Sequence, residues 1–292
     1  MLGYIFAVIS SLFFSLYVVP RKLSTLSPVI FSLFMSLGFS ACSIVLYLFQ
    51  PLIKFHETIS LLLCWSIVAG AIWATSFVLL IRSIDTIGLS RSNQWKNLQG
   101  PIAVVLSLLI LGESATTNPF FAILAAISIF LSAIFLSSTL DSNKGIKSKG
   151  IYLAVISAFG FGSVAIIQKY VTSHVGVYSQ QVVWSLSIAT SLMIYIFLSK
   201  KAKEIARSSR KELFIGLTAG ILYLGASLFQ LLSYKYLPAS ITFTIIQMSA
   251  LWTVAIGIFV FREINLKKYS KAVSLGLAFT IIGIVFLVFA RK

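Results

Sequence analysis

The chain has 292 residues, of which 59% are hydrophobic and only 10% are charged, whereas soluble domains contain about 45–50% and about 25%. This composition excludes a soluble globular protein, and a mean hydropathy of +1.00 predicts membrane spans along most of the chain. The basic residues that give the net charge of +16 lie between apolar runs rather than on one solvated face. They therefore indicate membrane topology and not nucleic-acid binding.

Ten segments, taken in chain order, qualify or nearly qualify as membrane-spanning helices, which need about 20 mostly apolar residues. They are residues 2–20, 29–50, 60–81, 87–111, 119–138, 150–168, 178–198, 213–234, 238–261 and 270–290. Little of the chain remains for an aqueous domain. The predicted fold class is therefore an all-α integral membrane protein with ten transmembrane helices.

The fourth segment is the least apolar, because its first half, residues 90–97, reads SRSNQWKN. The apolar remainder, residues 98–111, would give about 21 Å of helix at about 1.5 Å per residue. That length is short of a hydrocarbon core of about 30 Å. Either the polar half enters the membrane or this segment does not span it.

An internal duplication favours the first alternative. Residues 7–10 (AVIS) recur as residues 154–157, and Trp73 corresponds to Tyr223. Further pairs at the same offset as Trp73 and Tyr223 are Ser90 with Ser240, Asn97 with Gln247, and Glu113 with Glu263. Since the ninth segment is apolar throughout, its counterpart, the fourth, is also assigned to the membrane.

The duplication predicts two five-helix repeats, residues 1–141 and 150–292, joined by a linker at residues 142–149. Because five is odd, the second repeat must enter the bilayer from the opposite side, so the repeats are inverted. Inverted repeats with a binding site near the midplane are typical of secondary transporters. A duplicated scaffold or membrane enzyme is the alternative.

Lys and Arg are concentrated in the odd-numbered connections between segments, with the largest group between Lys200 and Lys211. The positive-inside rule then places both termini outside. We expect a multi-pass protein of the cytoplasmic (inner) membrane.

Lys96 is the leading candidate for a binding residue. It lies about 14 Å into the fourth segment, near the bilayer midplane, where an ionisable group normally faces a cavity. The residues that share one helical face by i, i+3, i+4, i+7 spacing are Asn93, Lys96, Asn97 and Gly100. Alternatively, Lys96 donates to backbone carbonyls that a kink at Pro101 leaves free.

Two other segments carry similar polar faces, which we expect to line one cavity with Lys96. Segment nine contributes Ser240, Thr244 and Gln247, and segment eight contributes Tyr223, Ser227, Gln230 and Tyr234. The Ser and Thr members are equally compatible with ordinary hydrogen bonding between helices. The amides are harder to explain in that way, because each brings donors and an acceptor that need partners.

Aromatic and charged residues near these faces complete the candidate site. Trp73 and Tyr223 either stack on a sugar ring or cation, or serve only in packing. Arg82 and Arg91, near the cytoplasmic end, either gate entry, pair with Asp85, or extend to the membrane surface.

Several kinds of chemistry lack the residues they need. No Asp or Glu lies in the middle of a predicted span, so a carboxylate proton relay has no evident carrier. A cation would be repelled by Lys96, so neutral polyhydroxy compounds or anions fit better. There is no Walker A pattern, metal-ligand cluster or paired buried carboxylates. We therefore expect neither an enzyme nor a cofactor or bound metal.

Ten short helices in two inverted halves resemble the drug/metabolite transporter superfamily. Within it, residues 87–91 (IGLSR) and 109–113 (LILGE) resemble the glucose/ribose porter branch of sugar-uptake proteins, and Arg262-Glu263 is the counterpart of Gly112-Glu113. The resemblance implies a path between the halves, lined partly by segments three, four, eight and nine, and alternating access by rocking of helix groups.

The leading functional prediction is a secondary or facilitative transporter for a small polar metabolite, with a sugar as first candidate. An amino-acid or metabolite exporter and a non-transporting receptor or scaffold are the alternatives. The expected partners are the small polar substrate and the lipid bilayer, without nucleic acid, and a homodimer is compatible with the sequence.

Overall fold

The computed structural model describes residues 1–17, 19–50, 59–87, 89–137, 148–260 and 266–291. Within these ranges the chain is α-helical and forms no β-strand, apart from one isolated bridge between Thr117 and Arg291. The prediction of an all-α membrane protein is confirmed.

Fourteen α-helices follow one another along the described chain. They are α1 (Leu2–Leu16), α2 (Val19–Leu23), α3 (Pro28–Phe49), α4 (Cys64–Ile87), α5 (Leu89–Lys96), α6 (Gln99–Ile110), α7 (Pro119–Ser137), α8 (Ser148–Thr172), α9 (Val177–Leu198), α10 (Ala202–Ala206), α11 (Arg210–Tyr236), α12 (Ala239–Ile246), α13 (Ser249–Phe259) and α14 (Leu266–Ala290). Two short 3₁₀-helices, Leu61–Leu63 and Glu113–Ala115, lie before α4 and after α6.

Nine helical stretches in the described ranges are long and apolar enough to cross a membrane. They correspond to nine of the ten predicted segments. The remaining segment, the fourth, is divided into the polar α5 and the apolar α6, and α6 alone is shorter than a span. This division follows from the composition, since the polar residues 90–97 occupy α5 and the turn after it.

The α5–α6 and α12–α13 pairs are each interrupted by a two-residue turn, at Asn97–Leu98 and at Gln247–Met248. At each turn a backbone N–H bonds three residues back: Gly100 N–H to the Asn97 carbonyl at 3.2 Å, and Ala250 N–H to the Gln247 carbonyl at 3.3 Å. Only the first turn has a proline nearby, so the interruption does not depend on Pro101.

The longer helices pack around a hydrophobic core. Its aromatic members include Phe39, Trp73, Trp184 and Tyr223. The most extensive helix pairs are α4 with α8, α1 with α11, α3 with α11, α4 with α9, α3 with α9, and α7 with α14. Glycines bring some backbones very close: a Cβ on Gly38 would lie 2.8 Å from the Cα of Leu217. Small residues at helix contacts are typical of membrane bundles.

Candidate functional site

An interior cavity of about 330 Å³ lies beside the turn between α5 and α6 and the turn between α12 and α13. Helices α1, α4, α7, α8, α9 and α11 also contribute to its wall. The predicted binding residues that line this cavity are Asn93, Lys96, Asn97, Trp73, Tyr223, Gln230 and Gln247. Residues from distant parts of the sequence thus meet in one chamber, whose size is at the lower end of ligand pockets, about 300–1,000 Å³.

Lys96 is the last residue of α5, immediately before the turn, and its side chain lines the cavity. Its ammonium group lies 5.8 Å from the centre of the Phe161 ring, a distance typical of a weak cation–π contact. No Asp or Glu is among the described residues that line the cavity. In the described ranges there is also no group of three or more His, Cys, Asp or Glu side chains that could hold a metal ion.

Amide side chains link the two interrupted helix pairs. Gln99 Nε2 donates to Gln247 Oε1 at 3.4 Å, across the gap between α6 and the α12–α13 turn. The Gln247 amide nitrogen is buried and has no hydrogen-bond partner among the described residues. Gly100 makes the approach possible, because a Cβ there would lie 3.1 Å from the Gln247 side chain.

A second amide group lies on the α8–α11 side of the cavity. Gln230 Nε2 donates to the Tyr234 hydroxyl at 2.8 Å and to Gln168 Oε1 at 3.3 Å. The Gln168 amide nitrogen is buried and, within the described part of the chain, lacks a partner. Both glutamines line the cavity.

The aromatic wall of the cavity is built by Trp73, Tyr223 and Trp184. Trp73 is stacked parallel to Phe77 at 5.3 Å, and Tyr223 is edge-on to Phe39 at 5.1 Å. These rings are fixed by the core, so Trp73 and Tyr223 serve in packing and also present surface to the cavity. The indole N–H of Trp184 is buried without a hydrogen-bond partner among the described residues.

Four predicted lining residues, Ser227, Tyr234, Ser240 and Thr244, do not line the cavity. The Ser227 hydroxyl accepts a hydrogen bond from Gln181 Nε2 and donates to the Leu224 carbonyl at 3.2 Å. The Thr244 hydroxyl donates to the Ser240 carbonyl at 2.7 Å and borders only a small closed void beside Gly100. Short hydroxyl side chains commonly bond their own helix in this way.

Two of the predicted gating residues, Arg82 and Asp85, do not line the cavity. Arg82 is exposed, with its guanidinium 5.9 Å from the centre of the Tyr195 ring, and Asp85 is exposed on the same helix. The side chain of Arg91 lies outside the part of the structure that is described. A gating role for these residues stays a prediction.

The cavity residues that were not predicted include Gln99, Gln168 and Trp184. Gln99 follows Lys96 by three positions, so the helical-face argument could have found it. Gln168 is a polar residue at the end of an otherwise apolar segment, which is also a usable signal. Trp184 is one aromatic among many and carries no such signal.

Glu113, expected at a helix end, is buried there and binds the start of α12. Its carboxylate accepts hydrogen bonds from Ala239 N–H at 2.5 Å, Ser240 N–H at 3.0 Å and the Ser240 hydroxyl at 2.7 Å. It therefore caps the N-terminus of α12, where a negative charge is favoured. Nearby, Lys169 Nζ donates to the Leu237 carbonyl at 2.9 Å.

A second cavity, of about 410 Å³, opens beside this cap. It is lined by Tyr4, Glu113, Thr116, Lys169, Lys235, Tyr236, Leu237, Pro238, Ile241 and Arg291. This second cavity lies at the end of α11 and the start of α12.

Comparisons with known proteins give a matching family, a relative and a solved structure of similar fold. The model of the sugar transport protein family matches residues 34–290. The glucose uptake protein GlcU of Bacillus subtilis (strain 168) is 22% identical over 264 residues, which cover 88% of this chain and 87% of GlcU. A crystal structure with a TM-score of 0.74 covers 98% of this chain and 95% of its own, at 11% identity, and so shows a shared fold alone.

Proposed function

The chain belongs to the sugar transport protein family and is a membrane sugar transporter rather than an enzyme, and we propose that it works by alternating access. Two inverted five-helix repeats, residues 1–141 and 150–292, would rock about the cavity that contains Lys96. The sugar would bind in that cavity and be released on the opposite side. The single observation that carries this proposal is that both interrupted helix pairs meet at one cavity, which contains Lys96 and several amide side chains.

The arrangement of the interrupted helices supports the inverted repeats. Helix α5 begins at Leu89 and α12 begins at Ala239. The number of residues between these two helix starts equals the number between the turns at Asn97 and Gln247. Equal intervals at both places are expected if the two pairs descend from one duplicated unit. The fourth segment would then cross the membrane as an interrupted helix, giving ten crossings in total.

The helix contacts support the same relation. If α1, α3 and α4 correspond to α8, α9 and α11, the pair α4–α8 corresponds to α11–α1, and α3–α11 corresponds to α9–α4. All four of these contacts are extensive. The pairs α3–α9 and α7–α14 would lie on the symmetry axis, as contacts between equivalent helices do.

The orientation follows from the basic residues. Lys200, Lys201, Lys203, Arg207, Arg210 and Lys211 cluster around α10, and the positive-inside rule places such a cluster in the cytoplasm. Both termini and the Glu113 cap would then lie outside. In a bacterial cell the protein would reside in the cytoplasmic membrane.

The binding site would use the cavity residues in different ways. Lys96, Asn93, Asn97, Gln230 and Gln247 would hydrogen-bond the sugar oxygens, and Trp73 and Tyr223 would contact its apolar face. The amides supply both donors and acceptors, as recognition of hydroxyl groups requires.

Uptake into proteoliposomes tests the transport proposal. Purified protein should take up at least one labelled monosaccharide from a panel of neutral and acidic sugars. Lys96→Ala should reduce that uptake about tenfold or more, whereas Lys203→Ala, which removes a surface lysine, should not. Unchanged uptake by a well-folded Lys96→Ala variant would remove Lys96 from the site, and no uptake of any sugar would contradict the proposal.

A further inference from the structure

Among the described residues, the positive charge in the cavity has no negative partner. The chain has seven acidic residues, and none of the described ones lines the cavity with Lys96. Glu113 caps α12, Glu204 accepts from Ser27 at 2.7 Å, Glu212 accepts from Ser24 at 2.6 Å, and Asp85 is exposed. Glu57, Asp141 and Glu263 lie outside the described ranges.

The cavity also has an excess of hydrogen-bond donors. The Gln168 amide nitrogen, the Gln247 amide nitrogen and the Trp184 indole nitrogen are buried without partners among the described residues. These side chains are 3%, 8% and 2% exposed, and all three line the chamber. Unpartnered buried donors are costly, so a ligand that supplies acceptor oxygens would stabilise the site.

Two of the donors, the Trp184 indole nitrogen and the Lys96 ammonium group, do not depend on how any amide is oriented. An indole nitrogen can only donate, and an ammonium group has no acceptor. The Gln247 oxygen already accepts from Gln99, and the Gln168 oxygen already accepts from Gln230, which leaves the nitrogen of each amide for a ligand.

Building on the proposed function, we propose that the substrate is a sugar that carries one carboxylate, such as an aldonate or a uronate, rather than a neutral sugar. The carboxylate pairs with Lys96, and the hydroxyl oxygens accept hydrogen bonds from Gln168, Gln247 and Trp184. A single ammonium group balances one negative charge, which favours a monocarboxylate over a phosphate dianion. A neutral sugar would leave the ammonium group without a counter-charge among the described residues that line the cavity.

Binding to the wild-type protein tests the charge of the substrate directly. Glucuronate, gluconate and glucose differ in charge but have similar size, and their affinities can be measured by calorimetry in detergent at constant ionic strength. The proposal predicts that one of the two acids binds about tenfold or more tightly than glucose, since a desolvated charge pair contributes strongly to affinity. Equal or tighter binding of glucose would overturn it.

Variants at Lys96 provide a second measurement. Lys96→Met keeps the length of the side chain and should lower the affinity for the acid to that for glucose, whereas Lys96→Arg should retain the preference. Lys203→Met is the matched control and should behave as the wild type does. Retention of the preference in Lys96→Met would also overturn the proposal.

Failure of this inference differs from failure of the transport proposal. If proteoliposomes take up glucose and neither acid binds or is transported, the protein is a sugar transporter and the charge assignment is wrong. If no sugar of either kind is bound or taken up, both proposals are wrong.

Discussion

Gln168 is a residue at which substitution should affect binding much more than stability. Its amide nitrogen is buried without a partner among the described residues, and its amide oxygen accepts one long hydrogen bond of 3.3 Å from Gln230. Gln168→Leu removes one buried donor that lacks a partner and, in exchange, one long hydrogen bond from Gln230, so the two effects on stability oppose each other. We expect a nearly unchanged thermal midpoint together with about tenfold weaker sugar uptake.

The control for this prediction is Gln180, which does not line the cavity and whose amide nitrogen and oxygen each make a hydrogen bond. Its Nε2 donates to the Gln168 carbonyl at 3.0 Å, and its Oε1 accepts from the Thr172 hydroxyl at 2.8 Å. Gln180→Leu should lower the free energy of unfolding by about 1–3 kcal/mol and leave the KM for uptake unchanged. A lower midpoint in Gln168→Leu with normal uptake would show that Gln168 is only structural.

Glu113 should contribute mainly to stability, because it caps the start of α12. Glu113→Gln removes the charge and turns one acceptor into a donor that faces the N-terminus of α12. We expect a loss of about 1–3 kcal/mol in the free energy of unfolding, measured by SDS titration. Glu204→Gln, which affects one hydrogen bond near the surface, should have a clearly smaller effect, and equal effects would contradict the capping role.

Individual site residues were predictable from sequence where the side chain is long and polar. The side chains of Lys96 and Gln230 are long enough to extend from their helices into the cavity, as expected. Ser227 does not, because its hydroxyl finds closer partners. The position of Trp184 depends on how α9 packs, which no local pattern determines.

At the scale of single elements, the interruption in the fourth segment illustrates what composition can and cannot determine. The polar run predicts a segment that does not behave as a continuous apolar helix. The composition does not predict the turn at Gln247–Met248, because the ninth segment has no polar run comparable to residues 90–97. The second turn became predictable only through the duplication.

The contact between α3 and α11 depends on glycine. At Gly38 a Cβ would lie 2.5 Å from the Leu217 carbonyl oxygen and 2.8 Å from its Cα, and backbone atoms cannot move aside cheaply. Gly38→Ala should therefore destabilise the protein by about 1–3 kcal/mol, even though alanine favours a helix by about 1 kcal/mol. Leu37→Ala, at the neighbouring partly exposed position, should have a smaller effect in the same SDS titration.

At the scale of the whole molecule, the proposed duplication would explain why the cavity residues come from distant segments. A cavity at the junction of two repeats would use the same positions of each, as it does at Asn97 and Gln247. Length and hydropathy alone would have found the spans but not the junction. The internal repeat therefore carried most of the information about where the site lies.

The inverted arrangement makes a prediction that a parallel arrangement does not share. Leu23 and Ser173 are exposed positions just after the first predicted span of each half. In inverted repeats these two positions face opposite sides of the membrane, whereas in parallel repeats they face the same side. The basic cluster around α10 places Leu23 inside and Ser173 outside.

Cysteine labelling in intact cells distinguishes the two arrangements. Cys42 and Cys64, the native cysteines, are first replaced by serine, and Leu23→Cys, Ser173→Cys and Lys203→Cys are then introduced singly. A membrane-impermeant maleimide should label Ser173→Cys in intact cells, and the other two only after permeabilisation. Labelling of Leu23→Cys and Ser173→Cys from the same side would contradict the inverted repeats, because an odd number of crossings between equivalent positions is what inverts the second half.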